Sequence, residues 1–248
     1  MLKIYQDIVI SKPKAIIFDT DNTLYLYEVA HRAAMKSAMQ KAENTLGVSS
    51  QDFQEVFDLS RKEIKLQLGS TASSHSRLLY FQRAIEKLGM GTRIFLTLDL
   101  EQTYWREFLV NTRLFPGVKE FLQQLKSIGI KTANITDLTA QIQFRKMVYF
   151  GLDEYFDYVV TSEEAGCDKP NIEPFRMALN KLKTDPADVW MIGDSSENDI
   201  YGAKSNFNMT TLQKTHKRVE IGSNQFEPDV SFNHYSELIS LISDLQKN

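Results

Sequence analysis

The chain has 248 residues, enough for one large domain or for a core carrying a smaller insertion. Apolar residues make up 42% and charged residues 25%, the composition of a folded globular protein, which excludes disordered, collagen-like and coiled-coil architectures. Twenty-nine Lys and Arg against thirty-two Asp and Glu leave a net charge of −3, too balanced for the positive field of a dedicated nucleic-acid binder.

The single cysteine, Cys167, rules out an intrachain disulfide and a multi-cysteine zinc site, and it leans towards a reducing compartment. No apolar run approaches the ~18 residues needed to cross a bilayer. The expectation is a cytoplasmic protein without membrane or nucleic-acid partners. The composition leaves the oligomeric state, monomer or homodimer, open.

Along the chain, Ala15-Ile16-Ile17-Phe18 is a short continuous apolar run ending at Asp19, the pattern of a strand buried on both faces of a parallel sheet. The polar turn Asp19-Thr20-Asp21-Asn22-Thr23 follows it directly. Beyond Leu24 the period changes. Met35, Ala38, Met39, Ala42 and Leu46 recur at three- and four-residue steps and predict a helix closed by Gly47. A second helix is expected from Ser50 as N-cap, with Phe53, Val56, Phe57 and Ile64 as its buried stripe. A third carries Leu78, Phe81, Ile85 and Leu88 and stops at Gly89. Gly69 to Ser76, rich in Ser and Thr, reads as a loop between them. Because no buried strand is legible from Tyr25 to Thr112, this stretch predicts a separate helical subdomain.

After Phe115-Pro116-Gly117 strands and helices alternate again. Val118, Phe121, Leu122, Leu125 and Ile128 mark a helix, and Ile130 to Thr136 a strand. A helix from Ala140 to Phe150 precedes the short strand Tyr158-Val159-Val160. Ile172, Phe175, Leu179 and Leu182 mark the next helix, and Val189-Trp190-Met191-Ile192 another buried strand. Thr210 to Gln213 and Asp229 to Phe232 read as edge strands, and Tyr235 to Leu245 as a last helix. The alternation predicts an α/β fold, a Rossmann-like parallel sheet covered on both faces.

Open parallel sheets bind ligands beyond the carboxyl ends of their strands. The residues there are unusually polar: Asp19 and Asp21 after the first strand, Thr136 and Asp137 at the end of the second, Lys169 after the third, and Gly193-Asp194 with Asn198-Asp199 after the fourth. A carboxylate that attacks phosphorus needs a cation to relieve its repulsion with the phosphoryl group. Asp19 and Asp194 offer hard oxygen ligands suited to magnesium.

In these four segments the chain resembles the haloacid dehalogenase superfamily, in the subfamily with a helical cap of the C1 type inserted between its first two motifs. The motifs occur in order as Phe18-Asp19-Thr20-Asp21-Asn22-Thr23-Leu24, Thr136, Lys169-Pro170 and Gly193-Asp194-Ser195-Ser196-Glu197-Asn198-Asp199. The resemblance implies a discontinuous core over residues 1–24 and 113–248 and a helical cap over 25–112. It also implies a magnesium-dependent phosphatase acting on a small phosphorylated metabolite, a nucleotide or a sugar phosphate.

In the implied chemistry Asp19 attacks phosphorus and Asp21 donates a proton to the leaving group and later activates water. Thr136 and Lys169 bind the phosphate. The metal is held by Asp19, Asp194 and the backbone carbonyl of Asp21, with Asp199 acting through a bound water. Many relatives carry Asn-Gly after the second-motif Ser or Thr. Here Asp137 and Leu138 follow Thr136, placing an additional carboxylate near the phosphate or at the start of the next helix. In the cap, His75 and Arg77 are the first candidates for substrate selection because they lie in the Ser-rich loop. A phosphomutase of the same superfamily and a non-catalytic binding protein with this fold are the alternatives. Asp21 argues against dehalogenation, since a departing halide needs no proton.

Overall fold

A computed structural model describes residues 2–5, 9–217 and 219–247. In chain order its elements are β1 (Lys3–Ile4), β2 (Ala15–Phe18), α1 (Tyr27–Leu46), α2 (Ser50–Leu68), α3 (Arg77–Lys87), α4 (Ile94–Val110) and α5 (Val118–Ser127). There follow β3 (Lys131–Thr136), α6 (Ala140–Phe150), β4 (Tyr158–Thr161), α7 (Ser162–Ala165), α8 (Ile172–Leu182) and β5 (Val189–Gly193). A π-helical turn (Ser196–Tyr201) runs into α9 (Gly202–Phe207), and β6 (Thr210–Lys214), β7 (Val230–Phe232) and α10 (Tyr235–Leu245) complete the chain. The chain divides into two compact units, residues 1–26 with 114–248 and residues 27–113.

The first unit is built on a seven-stranded sheet of order β1-β7-β6-β5-β2-β3-β4. Its strands run parallel except β1, which pairs antiparallel with β7. All four residues of β2 and all five of β5 are buried, as expected of central strands covered on both faces. Alternate residues serve opposite faces. Ala15 and Ile17 join Ile135, Met191, Phe175 and Leu179 in one layer, which α8 covers. On the opposite face Phe18 meets Phe121 of α5, Phe121 meets Tyr235 of α10, and Tyr235 meets Phe232, with ring centroids 5.4–6.1 Å apart.

Two expectations about the sheet are corrected. β6 is not an edge strand, because β5 and β7 flank it, and β7 is covered in turn by β1. Both look like edges in the sequence because they are short and partly polar. The polar side chains of Thr211 and Asp229 satisfy one another, with the Thr211 backbone N–H and Oγ1 donating to Asp229 Oδ2 at 2.7 and 2.9 Å. The two-residue β1 is too short to show any period.

The second unit is helical. α1 packs on α4, and α2 on α3. Its interior is largely aromatic, with Phe53, Phe57, Tyr80, Phe81, Tyr104, Trp105 and Phe108 all buried. Here too the structure revises the sequence reading. Ser49, not Ser50, caps α2, its hydroxyl accepting from the Asp52 N–H at 3.1 Å. The Ser-rich segment closes into a short 3-10 turn, Ala72–His75, and Ser76 caps α3 by accepting from the Leu79 N–H. Arg77 is therefore the first residue of a helix and not a loop residue.

α4 was not separately legible. It starts at Arg93 without a side-chain cap, and exposed Ile94, Phe95 and Leu98 blur the stripe made by Leu96, Leu100, Tyr104 and Phe108. No helix among the described residues is long and apolar enough to cross a membrane.

Phe121 is fully buried between Phe18 and Tyr235, so truncating it removes apolar contacts and leaves a cavity in the layer beneath α5 and α10. Phe121→Ala is expected to cost about 3–5 kcal/mol of unfolding free energy. Denaturant unfolding monitored by circular dichroism measures it, and a cost below about 1 kcal/mol would contradict this packing.

Candidate active site

From β2 the chain moves outward on one side through β3 and β4, then returns to β5 on the other side of β2 and continues to β6 and β7. β2 and β5 thus flank the point where the winding direction reverses, and a crevice for a ligand opens at their carboxyl ends. Asp19 follows the last residue of β2, and Asp194 follows the last residue of β5. The Asp19 N–H donates to the Ile192 carbonyl at 2.8 Å, so the ladder between the two strands extends into the site.

The turn after β2 is held from the neighbouring strand. Fully buried Asn134 on β3 donates from Nδ2 to the Phe18 carbonyl at 2.9 Å, and its Oδ1 accepts from Thr20 Oγ1 at 3.0 Å. Asn22 takes the left-handed conformation, φ 63°, that Asn tolerates better than most residues. The Leu24 N–H then closes the turn onto the Thr20 carbonyl at 2.9 Å.

Carboxylate oxygens of Asp19, Asp194 and Asp199 lie within 4.8 Å of one another. Lys169 Nζ reaches into this group, 2.6 Å from Asp19 Oδ1 and 2.7 Å from Asp199 Oδ1, with the lysine side chain only 3% exposed. Asp19 Oδ2 accepts from Thr23 Oγ1 at 2.9 Å, which fixes the plane of the carboxylate. Asp199 sits on the π-helical turn, whose start is capped by Ser195, and its Oδ2 accepts from the Ser195 N–H at 3.0 Å. Position 193 has to be glycine, since a Cβ there would collide with the Asp199 carboxyl group.

Crowding and burial set the electrostatics. Burial pushes Asp19 up to about 7, with Lys169 pulling the other way and Asp199 adding to the rise. Burial, together with Asp19 and Asp199, pushes Asp194 up to about 9. Burial disfavours the Lys169 ammonium, but Asp19, Asp199 and Asp137 override it and hold the lysine protonated well above its ordinary range.

Asp137 is engaged with the loop that carries Lys169. Its Oδ1 accepts from the Lys169 N–H at 3.0 Å and from Ser162 Oγ at 2.9 Å. It does not cap α6, whose Ala140 N–H is bound instead by Glu163. Thr136 is buried at the carboxyl end of β3, in register with Thr161 of β4.

Asp21, half-buried, accepts from two side chains that the sequence reading missed. Lys146 Nζ lies 2.8 Å from Asp21 Oδ1 and 3.2 Å from Oδ2, and the Tyr25 hydroxyl donates to Oδ1. A sequence signal for Lys146 existed. It falls on the stripe Ile142, Gln143, Lys146, Met147 and Phe150 that α6 buries, where an unpaired lysine is costly. Thr23, Tyr25 and Asn134 carried no comparable signal, because a polar side chain near a strand end has many possible partners.

His75 and Arg77 belong to the helical unit. Arg77 donates from Nη1 to the His75 carbonyl at 2.6 Å and from Nη2 to the Tyr27 hydroxyl, and its guanidinium lies 5.4–5.9 Å from the ring centres of Tyr80, Tyr104 and Trp105. It is thereby taken up between α1, α3 and α4. His31 Nδ1 is 2.7 Å from the Tyr104 hydroxyl; burial and the charges of Arg77 and Arg61 lower it to about 4, so it is neutral at pH 7. Cys167 is unsuited to nucleophilic chemistry: burial, Glu173 and Asp168 all raise its thiol.

Two buried carboxyl groups, Asp19 and Asp199, and a partly buried third, Asp194, gather around one ammonium at the ends of β2 and β5. This donor set, all hard oxygens, fits a divalent cation. The arrangement can therefore hold a metal between Asp19, Asp194 and Asp199, an acidic group at Asp21, and a cation at Lys169 for an anionic substrate.

The chain is similar to a known family, to named proteins and to solved structures. The model of haloacid dehalogenase-like hydrolases matches residues 13–206. The chain is 38% identical over 193 residues to a ribulose-1,5-bisphosphate 5-phosphatase of Halopiger xanaduensis, covering 77% of this chain and 80% of that one. It is 30% identical over 239 residues to a glyceraldehyde 3-phosphate phosphatase of Methanocaldococcus jannaschii, covering 95% and 99%. Among solved structures, a HAD phosphatase from Thermococcus onnurineus superposes with a TM-score of 0.71 at 25% identity over 92% of this chain and 97% of that one. A 2-haloacid dehalogenase from Pseudomonas syringae shares the fold, with a TM-score of 0.74 at 20% identity over 95% and 99%.

Asp19 and Asp194 retain protons in the folded, metal-free protein that the unfolded chain releases near pH 4. The folded state then binds more protons than the unfolded one, so metal-free stability should fall as pH rises from about 4 towards about 9. Thermal unfolding in EDTA should show a lower midpoint at about pH 8 than at about pH 5.5. Added magnesium should recover more of it at the higher pH, and a midpoint in EDTA that rises over this range would contradict the electrostatics described.

Proposed function

The chain belongs to the haloacid dehalogenase-like hydrolase family, and from that premise we propose that it is a magnesium-dependent phosphatase that hydrolyses a small sugar phosphate through an aspartyl-phosphate on Asp19. The observation that carries the reading is the fixing of Asp19 from both sides, by Lys169 on Oδ1 and Thr23 on Oδ2, at the sheet edge where a ligand would approach. A carboxylate held in this way has lost most of the orientational freedom that an attack on phosphorus must otherwise restrict.

In the first half-reaction an oxygen of Asp19 bonds to phosphorus as the bond to the sugar oxygen breaks. The sugar oxygen keeps the bonding electron pair and takes a proton from Asp21. In the second, water bonds to phosphorus and gives a proton to Asp21. The bond from phosphorus to Asp19 breaks, which restores the Asp19 carboxylate and releases inorganic phosphate. Lys169 neutralises charge on the phosphoryl oxygens, and Thr136 at the end of β3 donates a hydrogen bond to one of them.

Asp19, Asp194 and Asp199, with the backbone carbonyl of Asp21, would hold the magnesium ion, which supplies Lewis-acid polarisation of the phosphoryl group and relieves its repulsion with the carboxylates. The sugar-phosphate class follows the relatives, a ribulose bisphosphate phosphatase and a triose phosphate phosphatase.

Incubation with magnesium and glyceraldehyde 3-phosphate or ribulose 1,5-bisphosphate is expected to release inorganic phosphate, measured colorimetrically. EDTA should abolish release, and Asp19→Asn should lower kcat/KM by on the order of 10³-fold or more. An Asp19→Asn protein with near-normal turnover would refute the nucleophile.

A further inference from the structure

Lysine is among the residues least often fully buried, and its burial requires a partner for the ammonium. Lys146 is 1% exposed on the inner face of α6, and its ammonium is directed to the carboxylate of Asp21 at 2.8 and 3.2 Å. Asp21 itself is 35% exposed, so the pair has one enclosed member and one that solvent reaches. The Tyr25 hydroxyl donates to the same Oδ1, and the Lys146 ammonium lies 5.7 Å from the centre of the Tyr25 ring. The ring is in turn fixed against Phe150 of α6, with centroids 5.0 Å apart.

These contacts form a rigid bracket. Its two arms come from separate parts of the first unit, the turn after β2 and the buried stripe of α6, and both end on the carboxylate of Asp21. A lone aspartate at a turn samples several rotamers, and only some place its carboxyl group against the leaving-group oxygen. Two donors on Oδ1 select one of them.

We infer that Lys146, with Tyr25, is a positioning residue that orients the Asp21 carboxyl group for proton delivery to the leaving group. The inference rests on the proposed role of Asp21 as general acid. Lys146 acts only through Asp21: it neither transfers the proton nor touches the phosphoryl group. In phosphoenzyme formation its effect is therefore confined to substrates whose leaving group needs a proton; hydrolysis of the phosphoenzyme, which also uses Asp21, is common to all substrates. An alkoxide departing from a sugar phosphate needs one, whereas p-nitrophenolate departs as the anion. In both cases the bond to phosphorus breaks with its electron pair going to the leaving oxygen, and only in the first does Asp21 supply a proton.

The test is the ratio of kcat/KM for glyceraldehyde 3-phosphate to that for p-nitrophenyl phosphate, a ratio that reports phosphoenzyme formation and cancels losses common to both substrates. Asp21→Asn should lower the ratio by on the order of 10²-fold. Lys146→Met, which keeps the stem and removes the ammonium, should lower it by about tenfold, and Tyr25→Phe by a smaller factor in the same direction. In the Asp21→Asn background, Lys146→Met should lower the ratio no further, because the two residues act as one unit.

Equal losses on both substrates in Lys146→Met and in Tyr25→Phe would make the bracket merely structural and overturn the inference. So would a full tenfold loss of the ratio added to that of Asp21→Asn. Should Lys146→Met fail to fold, Tyr25→Phe carries the test alone, since the phenyl ring keeps its packing. If Asp21→Asn leaves the ratio unchanged, the general-acid role falls and this inference with it. If Asp21→Asn lowers the ratio and the other two variants do not, the inference alone falls.

Discussion

The site depends on one ammonium shared by two carboxylates: Lys169 lies between Asp19 and Asp199, with Asp194 alongside. Gathering carboxylates at the ends of buried strands costs free energy, because each charge loses water and repels its neighbours. Lys169 offsets part of that cost, and the raised protonation of Asp19 and Asp194 reflects the part it does not offset. The residual imbalance is useful chemically. A fully neutralised cluster would have little affinity for a divalent cation, and a phosphate anion would meet no counter-charge in a cluster without Lys169.

Most polar contacts around the site keep these charges in place. Gly193 leaves room for the Asp199 carboxyl group, Asn134 ties the turn after β2 to β3, and Asp137 holds the backbone of the loop that carries Lys169. Each is a short hydrogen bond or a close approach made by a residue on or next to a strand, so the rigidity of the sheet is passed to the side chains beyond its edge. Asp21 is managed differently. It stands further from the strand end and depends on α6, through Lys146, for its orientation.

The helical unit solves a different packing problem. It is built of helices alone, and its interior is filled by rings, with Tyr104 contacting Phe81, Trp105, Phe108 and His31. Arg77 lies among these rings as a planar cation whose donors bind a carbonyl and a phenol and whose face meets π systems. Stacked aromatic packing of this kind tolerates a guanidinium where a lysine ammonium would be left short of hydrogen-bond partners.

Several features were legible in the amino-acid order alone: the α/β alternation, the helical stretch between β2 and β3, and the acids and lysine after the strand ends. They are local in origin. A buried parallel strand is a run of apolar residues and a helix is a period of 3.6. A residue next to a strand's end must lie at the sheet's edge whatever the rest of the chain does. The cap of α2 at Ser49, the interior place of β6 and the helical position of Arg77 were not legible, because neighbouring serines compete equally for a cap and a short polar strand looks the same inside a sheet as at its edge. Nor were the pairings of Lys146 and Tyr25 with Asp21, or of Asn134 with the turn. Lys146 and Asp21 are 125 positions apart, and Asn134 and Thr20 are 114 apart. Contacts over such distances follow from how strands and helices are wound against one another, so the sequence by itself determined which chemical groups reach the sheet edge, and only the tertiary structure decided which of them touch.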